Sequence, residues 1–299
     1  MSATQTGRSV LQELGEGPVV APVDRPADSP ARPPWTAGEL AAQLADLRIG
    51  RGDTVLVQSS LRRLGRLQDG AGTLLTALLT AVGAEGTIVA YTACPENSDT
   101  SRLARRLTEG MTLEEETAHK AAMPAYDPET TPTSPVMGHF SELVRKEPGA
   151  RRSAHPQASF AAVGARAEEL MREHRLESHL GPGSPVEKLY RDPSARALLI
   201  GLPVWCCTAF HYAEYQLPNP PRQVYGCVVD DGSGPHWEHF NAVRLVDAYF
   251  VPMGPVLEDA LDRTPAGLGR GRLGDADCFV VPIRNGIDAC REYLQTQAG

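Results

Sequence analysis

Two short apolar runs, DTVLVQSS (53–60) and GTIVAY (86–91), bracket the stretch GAGTLLTALLTAVG (70–83), and that order limits the fold more than any other feature of the chain. Runs this short, rich in Val, Leu and Ile and bounded by turn residues, read as buried strands. The stretch between them reads as a helix stopped by a glycine C-cap. Strand, helix, strand predicts a parallel pair, because parallel neighbours need a crossover connection. A later run, ARALLIGLP (195–203), reads as a central strand. The expected fold class is therefore α/β: a layered sheet of mixed, partly parallel strands with flanking helices and long loop insertions.

At 299 residues the chain is long for one domain but within reach of a single elaborate one. Residues 1–34, including VAPVDRPADSPARPP, lack apolar periodicity and read as a flexible Pro/Ala-rich leader, with one folded domain over 35–299. Thr36 and Glu39 have the spacing of a capping box ahead of an apolar stripe of Leu40, Leu44 and Leu47. From Thr92 to Pro135 the periodicity fades into long loops around a modest helix, where substrate contacts are expected. Further on, GHFSELVRKEPG reads as a helix, ASFAAVG as a strand, and ARAEELMREH as a helix that brings His174 to its end. SPVEKLYRD reads as a helix capped by Ser184, and QVYGCVVDDGSGPHWEHF as a β-hairpin.

Composition excludes several classes. With 41% hydrophobic residues a sizeable core is available, yet no apolar run is long enough to cross a bilayer, so no membrane association is expected. The amino terminus lacks a secretory pattern, and a cytoplasmic location is expected. A formal charge of −8 disfavours nucleic acid and is compatible with a cationic small molecule. The six cysteines form no CxxC pair, and His236 and His239 fall in the hairpin without an HExxH, so no metal is expected. GRGRLG (269–274) matches GxGxxG but precedes a strand instead of following one, and neither a Walker A sequence nor a GxSxG elbow is present.

The segment CCTAFHYAEY (206–215) sets Thr208, His211 and Glu214 three residues apart just after the central strand. On a helix each polar neighbour could lie beside His211, but the face turns over six residues, so a complete triad within the segment is geometrically awkward. A cap at Thr208, a packed His211 and a solvated Glu214 would look the same in sequence. QSSLRRLGRLQDGAG offers serines, amides and arginines at a strand-to-helix turn, which suits an anion and equally suits a well-capped loop.

Taken in order, VLVQSSLRRLG, VGAEGTIVAYT, MPAYDPETTP, GHFSELVRKEPGARRSAHPQASFAAVG, EHRLESHLGPGSPVEKLY and LLIGLPVWCCTAFHYAEY resemble the aminoglycoside N3-acetyltransferase family from about Asp53 to beyond Gly274. The resemblance implies transfer of acetyl from acetyl-CoA, as cosubstrate, to the 3-amino group of a deoxystreptamine aminoglycoside, with resistance as the outcome. It implies coenzyme contacts at Ser59, Ser60, Leu61 and Gly65, and along Arg152, Ser153 and His155. It also implies a catalytic set of His174 as base with Thr208 and Glu214, His174 arriving between those two. Thr208 would donate to the thioester oxygen, and Glu96, Tyr126, Asp127 and Glu214 would hold a cationic substrate. Direct transfer in a ternary complex is expected, and a homodimer stays open. Departures from the family pattern are Gln58, where a histidine is common before the paired serines, the sequence HRL in place of His-Pro, and the CCTAF context. They leave room for a same-fold acetyltransferase that acts on another amine in antibiotic biosynthesis or self-protection, and for a binding protein that keeps the cleft without chemistry.

Overall fold

The computed structural model describes residues 32–265 and 267–297. Most of the sequence leader therefore lies outside the described residues. Its last part does not: Trp35 exchanges backbone hydrogen bonds with Arg66 and Gln68, and the Arg32 guanidinium lies 3.1 Å from the centre of its ring.

The first strand, β1 (Thr54–Ser59), sits near the middle of a seven-stranded sheet. It pairs in parallel with β2 (Thr87–Tyr91) on one side and β5 (Ala195–Ile200) on the other. The crossover between β1 and β2 is α2 (Ala71–Val82), as the strand-helix-strand pattern predicts. Beyond β2 the sheet continues antiparallel through β4 (Phe160–Gly164) to β3 (Arg151–Arg152). Beyond β5 it continues antiparallel through β9 (Ala276–Pro282) to β8 (Gly269–Leu273). GRGRLG is therefore the edge strand β8 and its turn, and opens no helix.

Alternate residues of the strands feed two cores, as the period of two requires. Val55 and Val57 point into one with Leu74, Leu78, Phe140 and Val144, under α1 (Ala37–Asp46), α2 and α5 (His139–Lys146). Leu56 points into the other with Leu170, Leu189, Phe210, Leu257 and Ile287. That second face carries α6 (Ala167–Met171), α7 (Pro185–Arg191), α9 (Phe250–Asp262) and α10 (Ile283–Gln297). Helices on both faces bury most of each parallel strand and leave Gln58, Ser59 and Tyr91 partly exposed at the carboxyl ends. Thr36 and Glu39 form the capping box of α1, and Ser184 caps α7 with Pro185 in its first turn.

Three departures from sequence expectation matter. The 92–135 region holds two short helices, α3 (Arg102–Leu107) and α4 (Leu113–Ala121), instead of one. Helix α6 stops at Met171, and Glu173 takes a left-handed φ of 58°, so His174 lies in a loop and not at a helix end. Residues 204–215 form two 3-10 turns, Val204–Cys206 and Thr208–His211, followed by the single-turn helix α8 (Tyr212–Tyr215). The expected hairpin forms as a separate two-stranded sheet, β6 (Arg222–Val229) with β7 (His236–Val243). Among the described residues no helix is long and apolar enough to cross a membrane.

Candidate active site

The three parallel strands run the same way, so the turns after their carboxyl ends converge on one edge of the sheet, where open α/β sheets carry their sites. Ser59, Ser60 and Leu61 follow β1, Thr92 and Cys94 follow β2, and the turn with Thr208 and His211 follows β5. Phe210 is fully buried and anchors this last turn against α10, where a Cβ on Gly286 would lie 2.5 Å from its ring. The neighbouring His211 packs edge-on against Phe250, 4.6 Å between ring centres, and keeps a small part of its side chain exposed.

His211 Nδ1 donates to Glu214 Oε2 at 2.6 Å, and its Nε2 lies 3.3 Å from Asp247 Oδ1. Glu214 is 2% exposed, and its second oxygen accepts the Val246 N–H at 2.8 Å, so the carboxylate is fixed from both sides. Asp247 is far more open and also pairs with Arg102. Burial alone pushes the imidazole pKa down, but the hydrogen bonds and charges of Asp247 and Glu214 outweigh it and raise the ring to about 9. His211 ends a 3-10 turn and Glu214 lies three residues on in the single turn of α8; residues three apart on a helix are surface neighbours, which brings the pair together. The buried Glu214 thus orients the ring through Nδ1 and leaves Nε2 as the atom that faces exchangeable partners.

Thr208 sits beside this pair in the chain and is held by Gln58 of β1. The Thr208 N–H donates to Gln58 Oε1 at 2.8 Å, and Gln58 Nε2 donates to Thr208 Oγ1 at 2.9 Å.

His174 occupies a different environment. Its Nε2 donates to the carbonyls of Ser178 and His179 at 3.0 and 2.9 Å, and the Ser153 hydroxyl donates to its Nδ1 at 2.9 Å. Both nitrogens are engaged, and burial lowers the pKa to about 4 against the two carbonyl hydrogen bonds, which act to raise it. His174 thus clasps its own loop and Glu214 pairs with His211; among the described residues no hydrogen bond joins His174 to Thr208 or Glu214. His174 belongs to a three-histidine layer. His155 lies between His174 and His179, with ring centres 4.8 and 4.6 Å away, and His179 packs on Tyr225 and Phe240 of the hairpin.

The other sequence candidates divide between surface and interior. Ser59, Ser60 and Leu61 are partly exposed at the edge, as coenzyme contacts require. Gly65 has φ of 83° and approaches Asp275 so closely that a Cβ would lie 2.2 Å from its carboxylate, which explains the glycine through the fold. Ser153 and His155 have no exposed surface, and their polar atoms bind His174, Phe160, Leu176, Gln157 and Ala158. Arg152 is spent on Thr92, Cys94, Thr131 and Ser159, tying the long loops to β3. This stretch therefore supports the cleft from behind instead of lining it.

A cavity of about 400 Å³ opens among the long loops, lined by Cys94, Glu96, Met123, Tyr126, Thr133 and Pro135 among others. It unites two of the expected substrate contacts, Glu96 and Tyr126. Ser134 donates to Glu96, and the Tyr126 hydroxyl donates to the Ser153 carbonyl at 2.9 Å. Asp127 instead accepts from the amides of Glu129 and Thr130, which lowers its pKa and commits it to shaping the loop. Tyr91 links this region to the dyad: burial, then the negative charge of Asp247 and the nearby Cys94, raise its pKa. His211 and Asp247 were missed as site residues, although the His211–Glu214 spacing was visible in the sequence; Asp247 had no local signal. Among the described residues no group of three or more His, Cys, Asp or Glu is arranged to hold a metal ion.

Comparison with known proteins matches residues 56–295 to a family described as aminoglycoside 3-N-acetyltransferase. Aminoglycoside N(3)-acetyltransferase VIII of Streptomyces fradiae is 33% identical over 278 residues, covering 89% of this chain and 94% of that protein. Among solved structures, the YokD protein of Bacillus subtilis superposes with a TM-score of 0.80 at 29% identity, covering 88% of this chain and 94% of that one. AAC-VIa bound to sisomicin gives 0.72 at 30% identity, covering 89% and 99%. AAC-IIIb in a binary complex with CoASH gives 0.73 at 27% identity, covering 88% and 97%.

Proposed function

Because the chain belongs to the aminoglycoside 3-N-acetyltransferase family, and is on that ground a transferase, we propose that it moves acetyl from acetyl-CoA to the 3-amino group of a deoxystreptamine aminoglycoside, directly within a ternary complex. The observation that carries the reading is the buried Glu214 held 2.6 Å from His211 Nδ1, with Nε2 turned to the open Asp247. A buried carboxylate that fixes one ring nitrogen, while the other meets only an exposed carboxylate that an incoming cation can draw away, suits a general base.

An aminoglycoside amine is mostly an ammonium at neutral pH, and an ammonium has no lone pair to attack with. Asp247 is an exposed carboxylate beside His211 Nε2 and suits the arriving cation. With the ring neutral, His211 Nε2 takes one proton from the ammonium and passes it to solvent; the amine nitrogen then attacks the thioester carbon and gives a second proton to Nε2, so that the product amide keeps one N–H. The C–S bond breaks, coenzyme A leaves as the thiolate, and a proton returns to it as the ring is reset. Thr208 donates to the carbonyl oxygen as negative charge gathers there. Ser59, Ser60 and Leu61, partly exposed at the same strand edge, suit the thioester arm of the coenzyme. The cavity with Glu96 suits the remote amino sugars. In this reading His174 is a structural residue and His211 the base.

The test is thiol release from acetyl-CoA with a panel of deoxystreptamine aminoglycosides, followed by mass spectrometry and NMR of the product. Release with a single added acetyl on the 3-amino group is expected. Release only with unrelated amines would overturn the acceptor while keeping the transferase.

A further inference from the structure

We propose that Gln58 is the positioning residue that turns Thr208 into a hydrogen-bond donor toward the reacting carbonyl, an inference that rests on the function proposed above. Gln58 ends the buried part of β1, in register with Leu199 of β5, so its side chain reaches across the sheet edge to the turn that follows β5. There Oε1 accepts the Thr208 N–H at 2.8 Å, while Nε2 donates to Thr208 Oγ1 at 2.9 Å and to the Cys206 carbonyl at 3.3 Å. These three contacts fix which way the amide faces. Flipped, it would set NH2 against an N–H and oxygen against a carbonyl.

The orientation has a chemical consequence. A hydroxyl has one proton to give and lone pairs to receive with. Gln58 fills a lone pair of Thr208 Oγ1 and offers no acceptor for its proton, and among the described residues that proton has no other acceptor. The proton is therefore left for the cleft. The donated bond also polarises the hydroxyl and strengthens it as a donor. Position 58 would serve differently as a carboxylate: a group that only accepts would take the Thr208 proton for itself and leave a lone pair facing the growing negative charge.

The experiment is a double-mutant cycle with Gln58→Glu and Thr208→Val, reading kcat and KM for both substrates, with coenzyme A binding as the check on folding. Thr208→Val is expected to lower kcat by about 100-fold, the scale of one lost oxyanion donor. Gln58→Glu is expected to lower kcat by a similar factor with little change in KM, and the double variant is expected to be no worse than either single one. Near-normal kcat in Gln58→Glu alongside a slow Thr208→Val would overturn this inference and leave the proposed reaction standing, as would losses that multiply in the double variant. A fast Thr208→Val would instead remove the donor role of Thr208, and the inference with it. If Gln58→Glu fails to bind coenzyme A, Gln58→Met takes its place in the same cycle; it keeps the length but loses both amide groups, and the same comparison with Thr208→Val decides.

Discussion

As the proposed base, His211 carries two opposed demands: a base must be free to take a proton, yet Glu214 and Asp247 hold the ring's pKa at about 9 in the free enzyme. Most of the unliganded protein therefore carries imidazolium at neutral pH. A bound polycation beside Asp247 opposes that charge and releases the proton. An NMR titration of the free enzyme should show the His211 ring titrating far above the usual 6.5, and Asp247→Asn should move it down by removing one of its two carboxylate partners. A titration near 6.5 in the unmodified enzyme would contradict the geometry. Because the folded ring holds its proton more tightly than the unfolded one, this cluster's stabilisation is full below pH about 6.5 and fades as pH rises through about 9. At the residue scale the sequence was half legible. Thr208, His211 and Glu214 stood out by spacing, while His174 was expected as base through the family resemblance alone, at a helix end that the structure replaces with a loop. The junction of a 3-10 turn with α8 closes the His211–Glu214 pair locally, and Asp247 arrives from 33 residues beyond Glu214, with nothing in its neighbourhood to mark it.

The elements that were legible are those whose signals are local. The capping box of α1, the Pro185 start of α7 and the glycine stop of α2 depend on neighbours a few residues away, and each forms as the sequence predicts. Helix α6 ends early because tertiary contacts outweigh local preference: the His174 ring needs the Ser178 and His179 carbonyls on one side and Ser153 on the other. The layer this creates is sensitive to acid. Burial lowers His174 to about 4 and His179 to about 3, and burial and its two histidine neighbours hold His155 well below its ordinary value. All three fold neutral, so their contribution is present above pH about 6.5 and is lost as pH falls toward about 4. Thermal unfolding between pH 6.5 and 5 should show stability falling with a slope of roughly two to three protons taken up on unfolding. A slope near zero would mean that the layer admits protons while folded.

Across the whole molecule, the sequence predicted an α/β sheet of mixed, partly parallel strands, and the sheet observed is parallel at its centre and antiparallel toward both edges. The parallel centre was legible from strand order. The antiparallel flanks were not, because β3 is only two residues long and the pairing of β9 with β5 joins segments about eighty residues apart. This layout places Gln58, Thr208 and the His211–Glu214 pair on one edge, with the long 92–135 loops and the hairpin around it. It also places the three-histidine layer behind that edge, as a brace. The measurement that separates these two roles is steady-state acetyl transfer by His211→Ala and His174→Ala, with thermal stability recorded for each. The account predicts that His211→Ala loses at least about 100-fold in kcat and retains coenzyme A binding. His174→Ala should unfold at lower temperature, by the equivalent of about 2 kcal/mol or more, while its folded fraction keeps a kcat within several-fold of the unmodified enzyme. Near-normal turnover in His211→Ala, with the loss falling on a stably folded His174→Ala, would contradict it.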